Sequence, residues 1–81
     1  MQKLTTAQIA KRTKDYLEVA ANVGGLPANH VWRIAYIYAD IIAKNYGAIT
    51  SSDFDALNFE HAPEALEAYE IEQYNAWAAH G

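Results

Sequence analysis

The chain contains no cysteine. This absence excludes disulfide bonds, thiolate catalysis and cysteine-ligated zinc. Because small secreted domains usually depend on disulfides, it also favours a cytoplasmic location. The N-terminus shows no apolar leader, and the most apolar stretch, residues 31–43, is interrupted by Arg33 and Asp40. We therefore expect neither a signal peptide nor a membrane-spanning helix.

Glycine and proline are also scarce, with four and two residues in a chain of 81. They fall between segments that have helical periodicity, and the chain is rich in alanine, so the composition predicts helices. A chain of this length supports one hydrophobic core. We expect a single all-α domain over residues 1–81, a compact bundle of three main helices plus one short helix.

The first helix has a recognisable start. Thr5 and Gln8 have the spacing of a capping box, and Leu4 and Ile9 have the spacing of the hydrophobic staple that accompanies it. Residues 24–25, both glycine, are suited to its C-cap. The sequence therefore predicts that this helix begins just after Thr5.

The second helix is predicted to lie between Pro27 and Gly47. Its charged residues Arg33, Asp40 and Lys44 fall on one narrow stripe, and apolar residues occupy most of the remaining circumference. A helix that is apolar nearly all round is packed on several sides. We therefore predict that this helix is the centre of the bundle.

A short third helix and a longer fourth helix follow. Residues 50–53 are rich in N-cap formers, and the short helix is expected to end near Phe59. Pro63 is suited to the first turn of the last helix. The apolar residues of that helix do not share one narrow face: Leu66, Tyr69, Ile71, Tyr74 and Trp77. The helix is therefore either held on two sides or has apolar surface that awaits a partner.

Basic residues are absent from the last 34 positions. Residues 1–47 carry six bases and three acids, whereas residues 48–81 carry seven acids and no base. This excess of acid, and the net charge of -4 of the whole chain, argue against direct binding of nucleic acid.

Three interpretations of this asymmetry remain open, and the third is that the acids form a solvated face that maintains solubility. In the first, the last helix lies beside the first helix and its glutamates face Lys11, Arg12 and Lys14. In the second, the acids form a surface for a protein partner with a basic surface, with aromatic side chains as anchors. The second interpretation assigns partner binding to Asp53, Asp55, Glu60, Glu64, Glu67, Glu70, Tyr74 and Trp77.

The residues that could carry catalysis do not form a known pattern. No histidine follows an acid by three positions, as a carboxylate-bridged metal site in a helical bundle requires. The only serines, Ser51 and Ser52, fall at a predicted helix start, where capping explains them. We expect no enzymatic activity, no metal and no cofactor.

Residues 4–12 resemble the opening of the first helix in helix-turn-helix DNA-binding domains. The resemblance implies a tight turn and then a recognition helix exposed to the major groove. Here the helical pattern continues to Asn22, and the following helix is too apolar to face a groove, so the sequence departs from that pattern.

Small size, the lack of a catalytic pattern and one-sided charge are typical of immunity proteins, antitoxins and phage-encoded inhibitors, some of which imitate nucleic acid. We therefore expect an inhibitor or adaptor of viral or mobile-element type that acts through its acidic, aromatic C-terminal third. The alternative is a structural protein that forms homodimers or larger homo-oligomers through its many aromatic residues.

Overall fold

A computed structural model describes residues 2–19 and 25–80. It contains four helices: α1 (Thr6–Val19), α2 (Ala28–Tyr46), α3 (Ser51–Leu57) and α4 (Ala62–His80). The predicted fold class is confirmed, since three long helices and one short helix form the bundle. None of the described helices is both long and apolar enough to cross a bilayer.

Helix α1 begins where the capping box predicts. The Thr5 amide donates to Gln8 Oε1 at 2.8 Å, and the Gln8 amide donates to Thr5 Oγ1 at 3.1 Å. Just before the helix, the Leu4 amide donates to the Ile49 carbonyl at 2.8 Å, which ties the N-terminal segment to the connection between α2 and α3. Of the predicted C-cap at residues 24–25, Gly24 lies outside the described residues and Gly25 lies in a turn.

Helix α2 is the central element, as predicted. It packs against both α1 and α4, and Gly47, with a φ of 73°, caps its C-terminal end. On the α1 side, the Lys14 ammonium lies over the Trp32 ring, 5.5 Å from its centroid. Six residues of α2 are buried: Val31, Ile34, Ala35, Tyr38, Ala39 and Ile42.

Tyr38 brings a hydroxyl into this core. Its ring packs edge-on against Phe54, and its hydroxyl has no hydrogen-bond partner among the described residues. Burial raises the pKa of Tyr38 to about 12, an effect that the nearby backbone amide of His61 opposes without reaching hydrogen-bonding geometry. A buried hydroxyl that has exchanged water for no partner costs stability.

Helix α3 starts at a second capping box. The Asp53 amide donates to Thr50 Oγ1 at 3.2 Å, and the Thr50 amide donates to Asp53 Oδ2 at 3.3 Å. The helix ends at Leu57, two residues before the expected end, because Asn58 and Phe59 both adopt positive φ. The Phe59 ring stacks on Tyr16 with centroids 3.7 Å apart, which secures the turn toward α4.

Helix α4 runs back along α2 in the opposite direction. At the C-terminal end of α2, the Tyr46 hydroxyl hydrogen-bonds His61 Nε2 at 2.8 Å. Near the N-terminal end of α2, His30 Nδ1 hydrogen-bonds the Tyr69 hydroxyl. These polar contacts link the C-terminal end of α2 to the residue just before α4, and the N-terminal end of α2 to the middle of α4.

Candidate interaction surface

Helix α4 is apolar on two opposite sides. Ala65 and Tyr69 are buried against the bundle. At about 100° per residue, Ile71, Tyr74 and Trp77 fall on the other side, within an arc of about 120°. Their exposed fractions are 54%, 65% and 70%. The scattered pattern in the sequence therefore reflects two apolar sides, one packed in the bundle and one exposed.

Two acids share the exposed side. Glu67 and Glu70 project within the same arc, and both are exposed without an ion-pair partner among the described residues. We call this set, Glu67, Glu70, Ile71, Tyr74 and Trp77, the outward face of α4. Along the helix axis, the acids lie toward the N-terminal end of α4 and the aromatic residues lie toward its C-terminal end.

The last turns of α4 have little contact with the bundle. Every side chain from residue 73 to residue 79 is exposed, which covers the full circumference of the helix. No charged residue follows Glu72 in the sequence. This end of the helix is therefore an uncharged rod that a partner could approach from more than one side.

The two aromatic side chains of this end contact each other. The rings of Tyr74 and Trp77 have centroids 6.1 Å apart and are tilted by 41°. Residues three apart are neighbours on a helix, so the pair forms one continuous surface. Tyr and Trp are among the residues most enriched in the energetic centres of protein interfaces.

Glu72 has a different role from the other acids. Both of its carboxylate oxygens accept hydrogen bonds from Arg33 of α2, the shortest at 2.6 Å. This two-pronged contact lowers the pKa of Glu72 and raises the pKa of Arg33. Glu72 therefore fixes α4 to α2 and is not part of the outward face.

Four of the five charged side chains of α1 are paired within α1 itself. Lys11 contacts Asp15 at 2.7 Å, and Lys14 contacts Glu18 at 3.1 Å. The Lys11 hydrogen bond is the main cause that lowers the pKa of Asp15. Helix α4 packs on α2, so in the described residues the lysines of α1 do not neutralise the glutamates of α4.

The remaining acids of the sequence prediction are not gathered into the outward face. Asp53 caps α3, and Glu64 Oε2 lies 3.0 Å from His61 Nδ1 at the start of α4. Asp55 and Glu60 are exposed, on α3 and on its connection to α4. Of the eight predicted partner-binding residues, the structure brings four together: Glu67, Glu70, Tyr74 and Trp77.

The sequence prediction missed Ile71 as part of this surface. Ile71 lies between Glu70 and Tyr74 on the outward face and is more than half exposed. The signal was present, because Ile71, Tyr74 and Trp77 recur every three residues, a spacing that keeps neighbours on one side of a helix. This signal is obscured because Tyr69, only two residues before Ile71, lies on the opposite, buried side of the helix.

No group of three side chains able to hold a metal ion occurs in the described ranges, residues 2–19 and 25–80. Comparisons with protein-family models, with curated proteins and with solved structures found no match.

Proposed function

We propose that this protein is an interaction module, an inhibitor or adaptor, that binds a larger protein with a basic surface through the outward face of α4. The single observation that carries the proposal is the exposed Tyr74–Trp77 pair, adjoining two acids that have no partner in the described part of the chain. Large exposed apolar patches on small domains mark sites of interaction.

The two parts of the face contribute differently. Burial of Tyr74 and Trp77 provides affinity, since aromatic anchors in desolvated pockets dominate most interfaces. Glu67 and Glu70 provide orientation and a fast encounter, because charge pairs at the rim act mainly on the association rate. A partner that suits both parts has an apolar groove with lysine or arginine at one end.

The geometry suits a helix laid in a groove. In that mode one helix face presents anchors at intervals of three and four residues, and Ile71, Tyr74 and Trp77 recur every three residues. The surrounding side chains of residues 73–79 are exposed, so groove walls can contact the flanks as well as the face. If the basic surface of the partner is one that binds nucleic acid, the glutamates stand in for phosphates.

The test is capture of partners from an extract of the producing cells by wild type and by two matched variants. Glu70→Lys reverses a charge on the outward face, and Asp40→Lys makes the same change on the exposed side of α2. We expect one protein, identified by mass spectrometry, that wild type and Asp40→Lys retain, that Glu70→Lys loses, and that added salt releases.

The purified partner then gives the decisive measurement. We expect Trp77→Ala to weaken its binding by at least tenfold, as is typical of an aromatic anchor worth more than about 1.4 kcal/mol. Equal binding by wild type, Glu70→Lys and Trp77→Ala would contradict the proposal.

The structural homo-oligomer remains the second candidate. The exposed end of α4 favours it, because no Lys, Arg, Asp or Glu side chain follows Glu72 in the sequence. A stable assembly at nanomolar concentration, unchanged by salt and leaving no outward face accessible, would replace the interaction module as the function.

A further inference from the structure

The apolar residues of the outward face are symmetric about Tyr74. Ile71 lies three residues before it and Trp77 three residues after it, and all three are more than half exposed. When two such helices run antiparallel with the tyrosines opposite each other, Ile71 of each copy lies at the same height along the helix axis as Trp77 of the other. The same pattern in a parallel pair would place Trp77 against Trp77 and Glu70 against Glu70.

We infer that, without its partner, the outward face of α4 is covered by the outward face of a second copy in an antiparallel, two-fold symmetric contact centred on Tyr74. Such a dimer hides Tyr74 and Trp77, so dimer formation and partner binding exclude each other. The dimer stands on the geometry of α4, and the competition rests on the proposed function.

The distribution of charge selects the antiparallel arrangement. With a rise of about 1.5 Å per residue, the two copies of Glu70 lie about 12 Å apart along the shared axis and the two copies of Glu67 about 21 Å apart. Both separations exceed the Debye length of about 8 Å at physiological salt. A parallel pair instead brings each glutamate beside its own copy, where like charges repel.

The available area makes this contact weak. A fully buried aromatic side chain covers about 150–250 Å², so the exposed parts of Ile71, Tyr74 and Trp77 offer roughly 300–450 Å² per copy. A stable interface needs about 800 Å² per partner. The dimer therefore dissociates readily, and a partner that fits the outward face better can displace the second copy.

The dimer and the complex with a basic partner should respond to salt in opposite ways. Binding of a basic partner weakens with added salt, because screening reduces attraction between opposite charges. Two copies of this chain each carry a net charge of -4, so screening reduces their repulsion and strengthens the dimer. Opposite salt dependence is the signature that distinguishes them.

The test is sedimentation equilibrium over a hundredfold range of concentration at low and high salt. We expect the mass of wild type to rise from that of one chain toward that of two, and to rise earlier at high salt. Tyr74→Glu places two carboxylates opposite each other at the symmetry axis and should weaken the dimer at least tenfold. Asn75→Glu adds the same charge about 100° around the helix and should dimerise within threefold of wild type.

Cross-linking tests the direction of the helices. The chain has no cysteine of its own, so an oxidised mixture of Ile71→Cys and Trp77→Cys should form the mixed disulfide in preference to either like pair. A disulfide needs Cα atoms within about 7 Å. Preferential linking of Trp77→Cys to itself would indicate parallel helices and overturn the inference.

The remaining outcomes separate this inference from the proposed function. A wild type that stays monomeric at every concentration, or equal weakening by Tyr74→Glu and Asn75→Glu, would overturn the dimer and leave the partner proposal intact. A dimer that persists while the captured partner is still bound would overturn the competition alone. Absence of a partner that depends on Glu70 would overturn the proposed function and leave the dimer.

Discussion

Helices α2 and α4 each contain 19 residues, and both carry apolar side chains over much of their circumference, yet their positions differ. Helix α2 buries six residues between α1 and α4. Helix α4 packs against α2 and exposes Ile71, Tyr74 and Trp77. Apolar residues on two sides of a helix therefore have two explanations: a neighbour on each side within the chain, or one neighbour within the chain and one outside it.

Matched truncations of one isoleucine in each helix test this difference in packing. Ile34→Ala removes a buried side chain from α2 and should lower the free energy of unfolding by about 2–5 kcal/mol. Ile71→Ala removes an exposed side chain of the same kind from α4 and should change it by less than about 0.5 kcal/mol. Urea denaturation measures both. A similar loss in the two variants would show that α4 is covered on both sides.

The two helices also differ in whether the hydroxyl of their buried tyrosine has a hydrogen-bond partner. Tyr38 of α2 has no hydrogen-bond partner for its hydroxyl in the described residues, whereas the Tyr69 hydroxyl of α4 hydrogen-bonds His30. Tyr38→Phe should raise the free energy of unfolding by about 1 kcal/mol, and Tyr69→Phe should lower it by about 1 kcal/mol. A loss of stability in Tyr38→Phe would reveal a partner for that hydroxyl.

The advantage of Tyr38→Phe should grow at high pH. The pKa of Tyr38 is raised to about 12 in the folded chain from 10.0, so the unfolded chain loses this proton first. The corresponding stability is present below pH 10 and is lost as the pH rises toward 12. Denaturation of wild type and Tyr38→Phe should therefore diverge above pH 10, and parallel curves would contradict the assignment.

The ion pair between Arg33 of α2 and Glu72 of α4 should contribute less to the free energy of unfolding. Glu72→Gln should lower the free energy of unfolding by about 0.5 kcal/mol at neutral pH, because solvent screens the exposed pair with Arg33. The folded pKa of Glu72 is lowered from 4.5. This stability is therefore present above about pH 4.5 and is lost as the pH falls through the lowered value. A difference from wild type that persists at pH 2 would mean that the carboxylate is not its source.

The free energy of unfolding should change least when a residue at the end of α4 is replaced. Trp77→Ala should leave the free energy of unfolding within about 0.5 kcal/mol of wild type, although the same change removes the anchor of the proposed interface. Thermal unfolding followed by circular dichroism measures the first property, and titration with the partner measures the second. A large loss of stability would place Trp77 in the core.

The helix starts and the central helix could be predicted because local chemistry determines them. The capping pairs Thr5–Gln8 and Thr50–Asp53 involve residues three apart, and Gly47 closes α2 through its own backbone conformation. The end of α3 lies two residues before the position that the sequence predicts. Its turn uses positive φ at Phe59, an aromatic residue whose stacking on Tyr16 depends on the tertiary structure.

The candidate surface was only partly predictable. The acidic, aromatic character of the C-terminal third is visible in the sequence. The sequence does not show which of its acids pair within the chain, because the pairing depends on which helix α4 packs against. Glu72 faces Arg33 and Glu64 faces His61, whereas Glu67 and Glu70 face away from the bundle. The orientation of one helix thus decides which of these acids contact the bundle and which face away from it.

The two tryptophans give this protein a built-in optical reporter for each of its proposed states. Trp32 lies half-buried beneath the Lys14 ammonium, and Trp77 stands exposed at the end of α4. In the folded monomer the Trp77 emission should therefore be red-shifted and readily quenched by iodide, and that of Trp32 should be protected. Occupation of the outward face would shield Trp77 alone, whereas unfolding would expose Trp32. Fluorescence of Trp32→Phe, which retains Trp77, can therefore follow binding. Fluorescence of Trp77→Phe, which retains Trp32, can follow folding.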